Sequence, residues 1–202
     1  MKGMYDFLVE PLGGRTNNTK DVADKKLLLN TELQNHSYVN RVGVVITEPL
    51  ENNTNIKVGD KVVVHHNVFR RFRDIRGKEK NSRSYYKENL YFVSLDQIYG
   101  YFEGDCACNI KALPGFNFVV PIKEDKMFSI NFEKPLVGVL YIKDPNINFV
   151  EEGDLIGFSP NSEYEFTING GRAYRVPTNS ITIKYEYQGN EEEYHPSWTQ
   201  SG

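Results

Sequence analysis

Residues 70–87 hold the densest charge in the chain. Arg70, Arg71, Arg73, Arg76, Lys78, Lys80, Arg83 and Lys87 face only Asp74 and Glu79, in a chain of formal net charge -3. Phe72, Tyr85 and Tyr86 are interleaved with them. Cations for phosphates and rings for bases are what a single-stranded nucleic acid, or another anion, requires. A solvated hairpin fits the same residues, because most runs of charge are exposed surface. Other chemistry-bearing residues are sparser. His65 and His66 are adjacent, while His36 and His195 stand apart. Neighbours on a strand point to opposite faces, so the pair is not expected to clamp one metal ion. Cys106 and Cys108 are the only cysteines. Their spacing disfavours a mutual disulfide, and no second pair completes a zinc site. Spacing assigns no Ser-His-Asp set and no paired carboxylates, and no Gly-rich loop cradles phosphate. The expectation is a protein that is not an enzyme and carries no cofactor.

The elements that must position these residues come in two sets. Ile56-Lys57-Val58-Gly59-Asp60 reads as a tight turn before the strand Lys61-Val62-Val63-Val64. Phe149-Val150-Glu151-Glu152-Gly153-Asp154 repeats that turn before Leu155-Ile156-Gly157-Phe158. Each is preceded by a Val-Gly-Val segment, at Gly43 and at Gly138. A first strand over 5–12 pairs with a similar pattern over 116–123, and Tyr91, Val93 and Ile98 match Tyr174, Val176 and Ile181. The offset falls from 111 (Tyr5 to Phe116) to 95 (Gly43 to Gly138), 94 (Gly59 to Gly153) and 83 (Tyr91 to Tyr174). Each drop falls where the first copy has the longer loop, as insertion into surface loops of one scaffold would produce. Short strands between Gly, Pro and Asn turns indicate an all-β fold, and two half-size barrels fit better than one sandwich.

Composition agrees with a globular chain, at 39% hydrophobic and 13% aromatic residues. No apolar run approaches the roughly 20 residues of a membrane span, and the first residues lack the apolar stretch of a secretory signal. A cytoplasmic location without membrane contact is therefore expected.

In order and spacing the parts resemble the GroES co-chaperonin family, and do so twice. A first strand (5–12) leads to a long loop (13–41), a strand with Gly and Val (42–46) and the turn Lys57-Val58-Gly59-Asp60. A Val-rich strand (61–65), a second loop (68–89) and the closing Val93-Ser94-Leu95-Asp96-Gln97-Ile98 complete the series. The turn alone also occurs in the N-terminal barrel of alcohol dehydrogenases. Such an enzyme needs a Gly-rich turn opening a βαβ unit, which neither Gly13-Gly14 nor Gly170-Gly171 does. The resemblance implies two tandem GroES-like small β-barrels with long loops. These are a first barrel over 1–104 with a mobile loop (13–41) and a basic roof-like loop (68–89), a linker over 105–115, a second barrel with short loops over 116–187, and a tail over 188–202.

The resemblance also implies a function. In that family an apolar tripeptide in each mobile loop docks on the apical groove of a GroEL-type chaperonin ring. Here Leu27-Leu28-Leu29 occupies that place in a segment of Asn, Thr and Lys. The chain would form a homo-oligomeric ring that caps the chaperonin and assists ATP-dependent folding, with ATP bound and hydrolysed by the partner. The fusion and its insertions suit a viral or otherwise divergent member, which would place it in a host cytoplasm. Two alternatives stay open. Residues 21–34 could form a short helix with Val22, Leu29 and Leu33 on one side. The whole chain could instead bind nucleic acid, or build an assembly, through residues 70–87.

Overall fold

The computed structural model describes residues 3–16, 19–22, 25–28, 39–103, 109–123, 133–168 and 171–186. The chain divides into two compact units, 1–110 and 111–202. Among the described residues strands dominate both, with 3-10 turns at Leu95–Gln97 and Thr178–Ser180. Among the described residues no helix is long and apolar enough to cross a membrane.

In the first unit the strands are β1 (Phe7–Pro11), β2 (Thr19–Val22), β3 (Lys25–Leu28), β4 (Val42–Thr47), β5 (Lys61–Val64) and β6 (Arg71–Arg73). They continue with β7 (Glu79–Asn81), β8 (Tyr85–Lys87), β9 (Leu90–Val93), β10 (Ile98–Phe102) and, running over the boundary at 110, β11 (Ile110–Ala112). One sheet runs β8-β9-β1-β4-β5-β10-β11, while β2 with β3 and β6 with β7 make separate two-stranded sheets. The second unit contains β12 (Phe116–Lys123), β13 (Glu133–Ile142), β14 (Leu155–Phe158), β15 (Tyr164–Ile168), β16 (Gly171–Pro177) and β17 (Ile181–Lys184). Its sheet runs β15-β16-β12-β13-β14-β17. The shared six strands therefore lie in the same order in both units.

Register makes the equivalence residue-specific. Pro11 pairs with Gly43 and Pro121 with Gly138; Val9 pairs with Tyr91 and Val119 with Tyr174. The first strands are thus offset by 110 residues (Val9 to Val119, Pro11 to Pro121), not the 111 expected from sequence. One residue matters, because in a strand it exchanges the two faces. At an offset of 111 Phe7 would fall on Phe118, a residue of the same type. The structural partner of Phe7 is Asn117, which is fully buried and whose carbonyl accepts the Asp144 N–H at 2.8 Å.

The two Gly-Asp turns are alike in detail. The Asp60 and Asp154 carboxylates accept the N–H groups of Lys57 and Glu151 at 2.8 and 2.7 Å. Gly59 and Gly153 donate to the carbonyls of Val45 and Leu140 at 2.8 and 2.7 Å. Their φ angles, +94° and +93°, lie where a side chain would be strained. Each turn thereby aims a strand buried on both faces: Val62, Val63 and Val64 in one unit, and Leu155, Ile156 and Phe158 in the other. Around the second lie Val119, Leu140, Ile147, Val150, Tyr174 and Val176.

Two expectations need correction. Neither sheet closes on itself among the described residues: the first ends at β8 and β11, the second at β15 and β17. The barrel expectation is therefore met only as far as two all-β sheets of one strand order. Residues 110–112, expected within a linker, form β11, with Ile110 and Ala112 buried and Lys111 exposed. A three-residue alternation is too short to read as a period. The expected tail over 188–202, and residues 104–108 with Cys106 and Cys108, lie outside the described residues.

Candidate functional site

The first unit carries two insertions, and both leave the sheet from well-defined roots. The loop between β1 and β4 begins as a short stem. Leu12 donates to Val42 O at 2.9 Å, Asn40 donates to Arg15 O at 3.0 Å, and Thr16 bridges Val39. Asn40 clamps this stem from inside and is only 2% exposed. Its Nδ2 donates to Leu12 O at 2.6 Å and Gly14 O at 2.7 Å, and its Oδ1 accepts Val42 N–H at 2.9 Å. All the hydrogen-bonding groups of that amide face backbone, which is what makes an asparagine tolerable there.

Beyond the stem, β2 pairs antiparallel with β3, setting Thr19 opposite Leu28, Lys20 opposite Leu27 and Val22 opposite Lys25. The helix considered for 21–34 is thereby overturned where the chain is described. A helix of this length is marginal by itself in water, and local pairing between Thr19–Val22 and Lys25–Leu28 satisfies the backbone instead. Leu27 and Leu28 lie in β3; Leu29 lies outside the described residues, as does His36.

The second insertion, β6 with β7, stands between β5 and β8. Arg71 opposes Asn81, Phe72 opposes Lys80 and Arg73 opposes Glu79. At its tip the Asp74 carboxylate accepts the N–H groups of Arg76 and Lys78, each at 2.9 Å. Ile75 sits on this turn fully exposed. The eight cations singled out from sequence fall into two groups. Arg73, Arg76, Lys78, Lys80, Arg83 and Lys87 are exposed, with Lys87 lying over the Tyr86 ring at 5.8 Å. Arg70 and Arg71 are half-buried at the root, where Arg70 Nη1 reaches Asn67 Oδ1 at 3.4 Å and Arg71 Nη1 reaches Glu79 Oε1 at 2.6 Å.

The two roots meet at Arg15, a residue that sequence did not single out. Its Nε donates to Phe69 O at 3.4 Å, and its guanidinium lies 5.7 Å from the Tyr85 ring and 5.4 Å from the Tyr91 ring. Phe69 and Tyr85 pack edge-on against Tyr91 at 4.9 and 5.7 Å. Burial lowers the pKa of Arg15, and the charge of Arg71 adds to the pull while Tyr91 opposes it. Burial raises the pKa of Tyr91 against the pull of Arg15 and Arg71. The available signal was Tyr91 itself, already matched to Tyr174 across the repeat.

At Tyr174 the second unit has a related cluster. The Tyr174 hydroxyl donates to Glu133 Oε2 at 2.8 Å, and Arg172 lies over the ring at 5.4 Å. Arg172 Nη2 donates to Glu165 Oε2 at 2.6 Å, and Nη1 lies 3.5 Å from Glu133 Oε2. Burial raises the pKa of Glu133, opposed by the Tyr174 hydroxyl and by Arg172. Burial pushes Tyr174 up strongly, and Glu133 adds to it. Burial alone would lower Arg172, but Tyr174, Glu165 and Glu133 outweigh it and raise it.

The histidines differ from expectation. His65 and His66 follow β5 in a turn, and their rings stack at 4.2 Å instead of pointing to opposite faces. A strand's alternation stops where the strand stops. His65 Nδ1 accepts the Asn67 N–H at 3.0 Å. Among the described residues no group of three His, Cys, Asp or Glu gathers as a metal site. His195 lies outside the described residues.

The chain matches no known family model, and no curated protein matches it in sequence.

Proposed function

We propose that the protein is a non-enzymatic co-chaperonin that caps a GroEL-type ring, with Leu27, Leu28 and Leu29 as its contact. The observation that carries the reading is the leucine-bearing ribbon β2–β3. Among the described residues its strands pair only with each other, and it is rooted by a buried asparagine in one of two units of common strand order. A lone two-stranded ribbon is marginal in water, so it gains by adding its residues to a partner's groove. The two open sheets would correspond to the family's small barrels, and copies of the chain would form the ring. ATP would belong to the partner.

The test replaces Leu27, Leu28 and Leu29 together with Ser. Retention on a chaperonin ring with ATP should be lost while the thermal unfolding midpoint stays within about a degree, as expected for surface changes. A fall of many degrees would place the leucines in a core, and retention of the variant on the ring would place the contact elsewhere. The competing nucleic-acid reading is supported by the exposed cations at the β6–β7 tip, with Phe72 beside them. Tight, salt-sensitive oligonucleotide binding with no retention on the ring would favour it.

A further inference from the structure

The repeat supplies its own control for the cluster at Arg15. Tyr91 and Tyr174 are equivalent by register, each pairing with the equivalent residue of the first strand. Each carries an arginine over its ring at 5.4 Å. In the second unit two carboxylates complete the arrangement, Glu133 on the tyrosine hydroxyl and Glu165 on the guanidinium. In the first unit the position opposite the tyrosine, held by Glu165 in the second, is Tyr85. The Tyr91 hydroxyl is buried, its residue 0% exposed, and has no hydrogen-bond partner among the described residues. The same is true of Arg15 Nη2 and Arg71 Nε, both buried. Glu79 is committed to Arg71 Nη1 at 2.6 Å. Among the described residues two guanidinium charges therefore stand against one carboxylate, beside three donors that lack an acceptor.

Buried donors without acceptors are costly, and two desolvated cations repel. The second unit meets most of this need with Glu133 and Glu165, leaving Arg172 Nε without a partner, whereas among the described residues no such pair of carboxylates stands beside Tyr91. We propose that the first unit binds a phosphate-type oxyanion between Arg15, Arg71 and Tyr91. Three donors on three separate side chains suit a tetrahedral oxyanion better than a planar carboxylate, which accepts best from a single fork. The site lies where the leucine-bearing loop and the basic insertion are both rooted, through the Arg15 Nε–H to Phe69 O and the backbone Asn40 N–H to Arg15 O. An oxyanion there ties the two roots together. The phosphate can be free or part of a nucleic-acid backbone.

The experiment follows thermal unfolding of the full chain in sodium phosphate and in sodium chloride of equal ionic strength at pH 7. Phosphate should raise the midpoint saturably, by mass action on the folded state, and chloride should not. Arg71→Gln, half-exposed at the insertion's root, should weaken the apparent phosphate affinity at least about tenfold, as loss of a charged hydrogen bond does. Tyr91→Phe keeps the ring under Arg15 and removes only the hydroxyl. It should hold or raise the midpoint in chloride, because an orphan donor is gone, and lose most of the phosphate response. Lys78→Gln at the exposed tip should leave the response intact. Displacement of phosphate by a single-stranded oligonucleotide, lost in Tyr91→Phe, would identify a backbone phosphate as the ligand. An oligonucleotide that leaves the phosphate response unchanged would identify free phosphate. The proposal is overturned if phosphate acts no differently from chloride, or if Lys78→Gln cuts the response as much as Arg71→Gln.

Discussion

A methyl group is enough to test how closely the strands approach. On Gly43 a Cβ would overlap Val9 Cγ1 and come within 2.9 Å of Glu10 O. On Gly138 it would lie 2.5 Å from Val120 O and 2.6 Å from Val119 Cγ1. The obstacle is partly backbone in both cases, so neither site can yield by moving a flexible side chain. Gly43→Ala and Gly138→Ala should each lose about 1–3 kcal/mol by overpacking, read as a lower urea midpoint. Glu133 gives a second prediction at this scale. Burial raises its folded pKa above the unfolded value, so its contribution to stability is fully present below the unfolded pKa and is lost as pH rises through the folded one. Glu133→Gln keeps an acceptor for the Tyr174 hydroxyl and removes the titration. Its stability should therefore fall less than the wild type's as pH rises from the ordinary glutamate range upward, in urea titrations across that window. A wild-type profile that is flat there, or identical in the variant, would show that Glu133 keeps its unfolded-state affinity for protons.

Among the elements, the loop stem depends on one side chain. Asn40→Ala removes three hydrogen bonds to backbone and leaves the Leu12 and Gly14 carbonyls to find other partners. Unfolding stability should drop by about 1–3 kcal/mol. Amide exchange at Val42, whose N–H the Asn40 carbonyl accepts, should quicken more than exchange at Val62 in the sheet interior. Equal quickening would mean that the residue stabilises the whole unit and not the stem. Nothing in the sequence pointed to this asparagine, because the two carbonyls it donates to lie 26 and 28 positions earlier. The Gly-Asp turns were legible because their chemistry is local: a glycine at positive φ and a carboxylate capping an N–H three residues before it. The repeat was legible through them. The first-strand offset was ambiguous, since Phe7 and Phe118 agree in type at 111 while Val9 with Val119 and Pro11 with Pro121 agree at 110, and only the ladder decides for the second set. For the candidate sites, sequence composition found the exposed cations but missed the Arg15–Tyr91 cluster. That cluster draws its members from residues 15, 69, 71, 85 and 91, which only the sheet brings together.

For the molecule as a whole, the proposed function makes an assembly's grip depend on the number of loops it presents. Each chain has two sheets of one strand order but one leucine-bearing ribbon among its described residues. Fully burying a leucine contributes roughly 1.5–3 kcal/mol. Ordering a loop residue costs about 1–2 kcal/mol, so a single loop of eight or so residues gains little net affinity. Several loops on one assembly act at high effective concentration and bind together what none holds alone. Chains carrying Ser at 27, 28 and 29, mixed with wild-type chains before assembly, should therefore reduce retention on the ring faster than in proportion to their share. At an equal mixture, well under half of the wild-type retention should remain. A decline in strict proportion would mean that each loop binds by itself, and the argument from effective concentration would have to be abandoned.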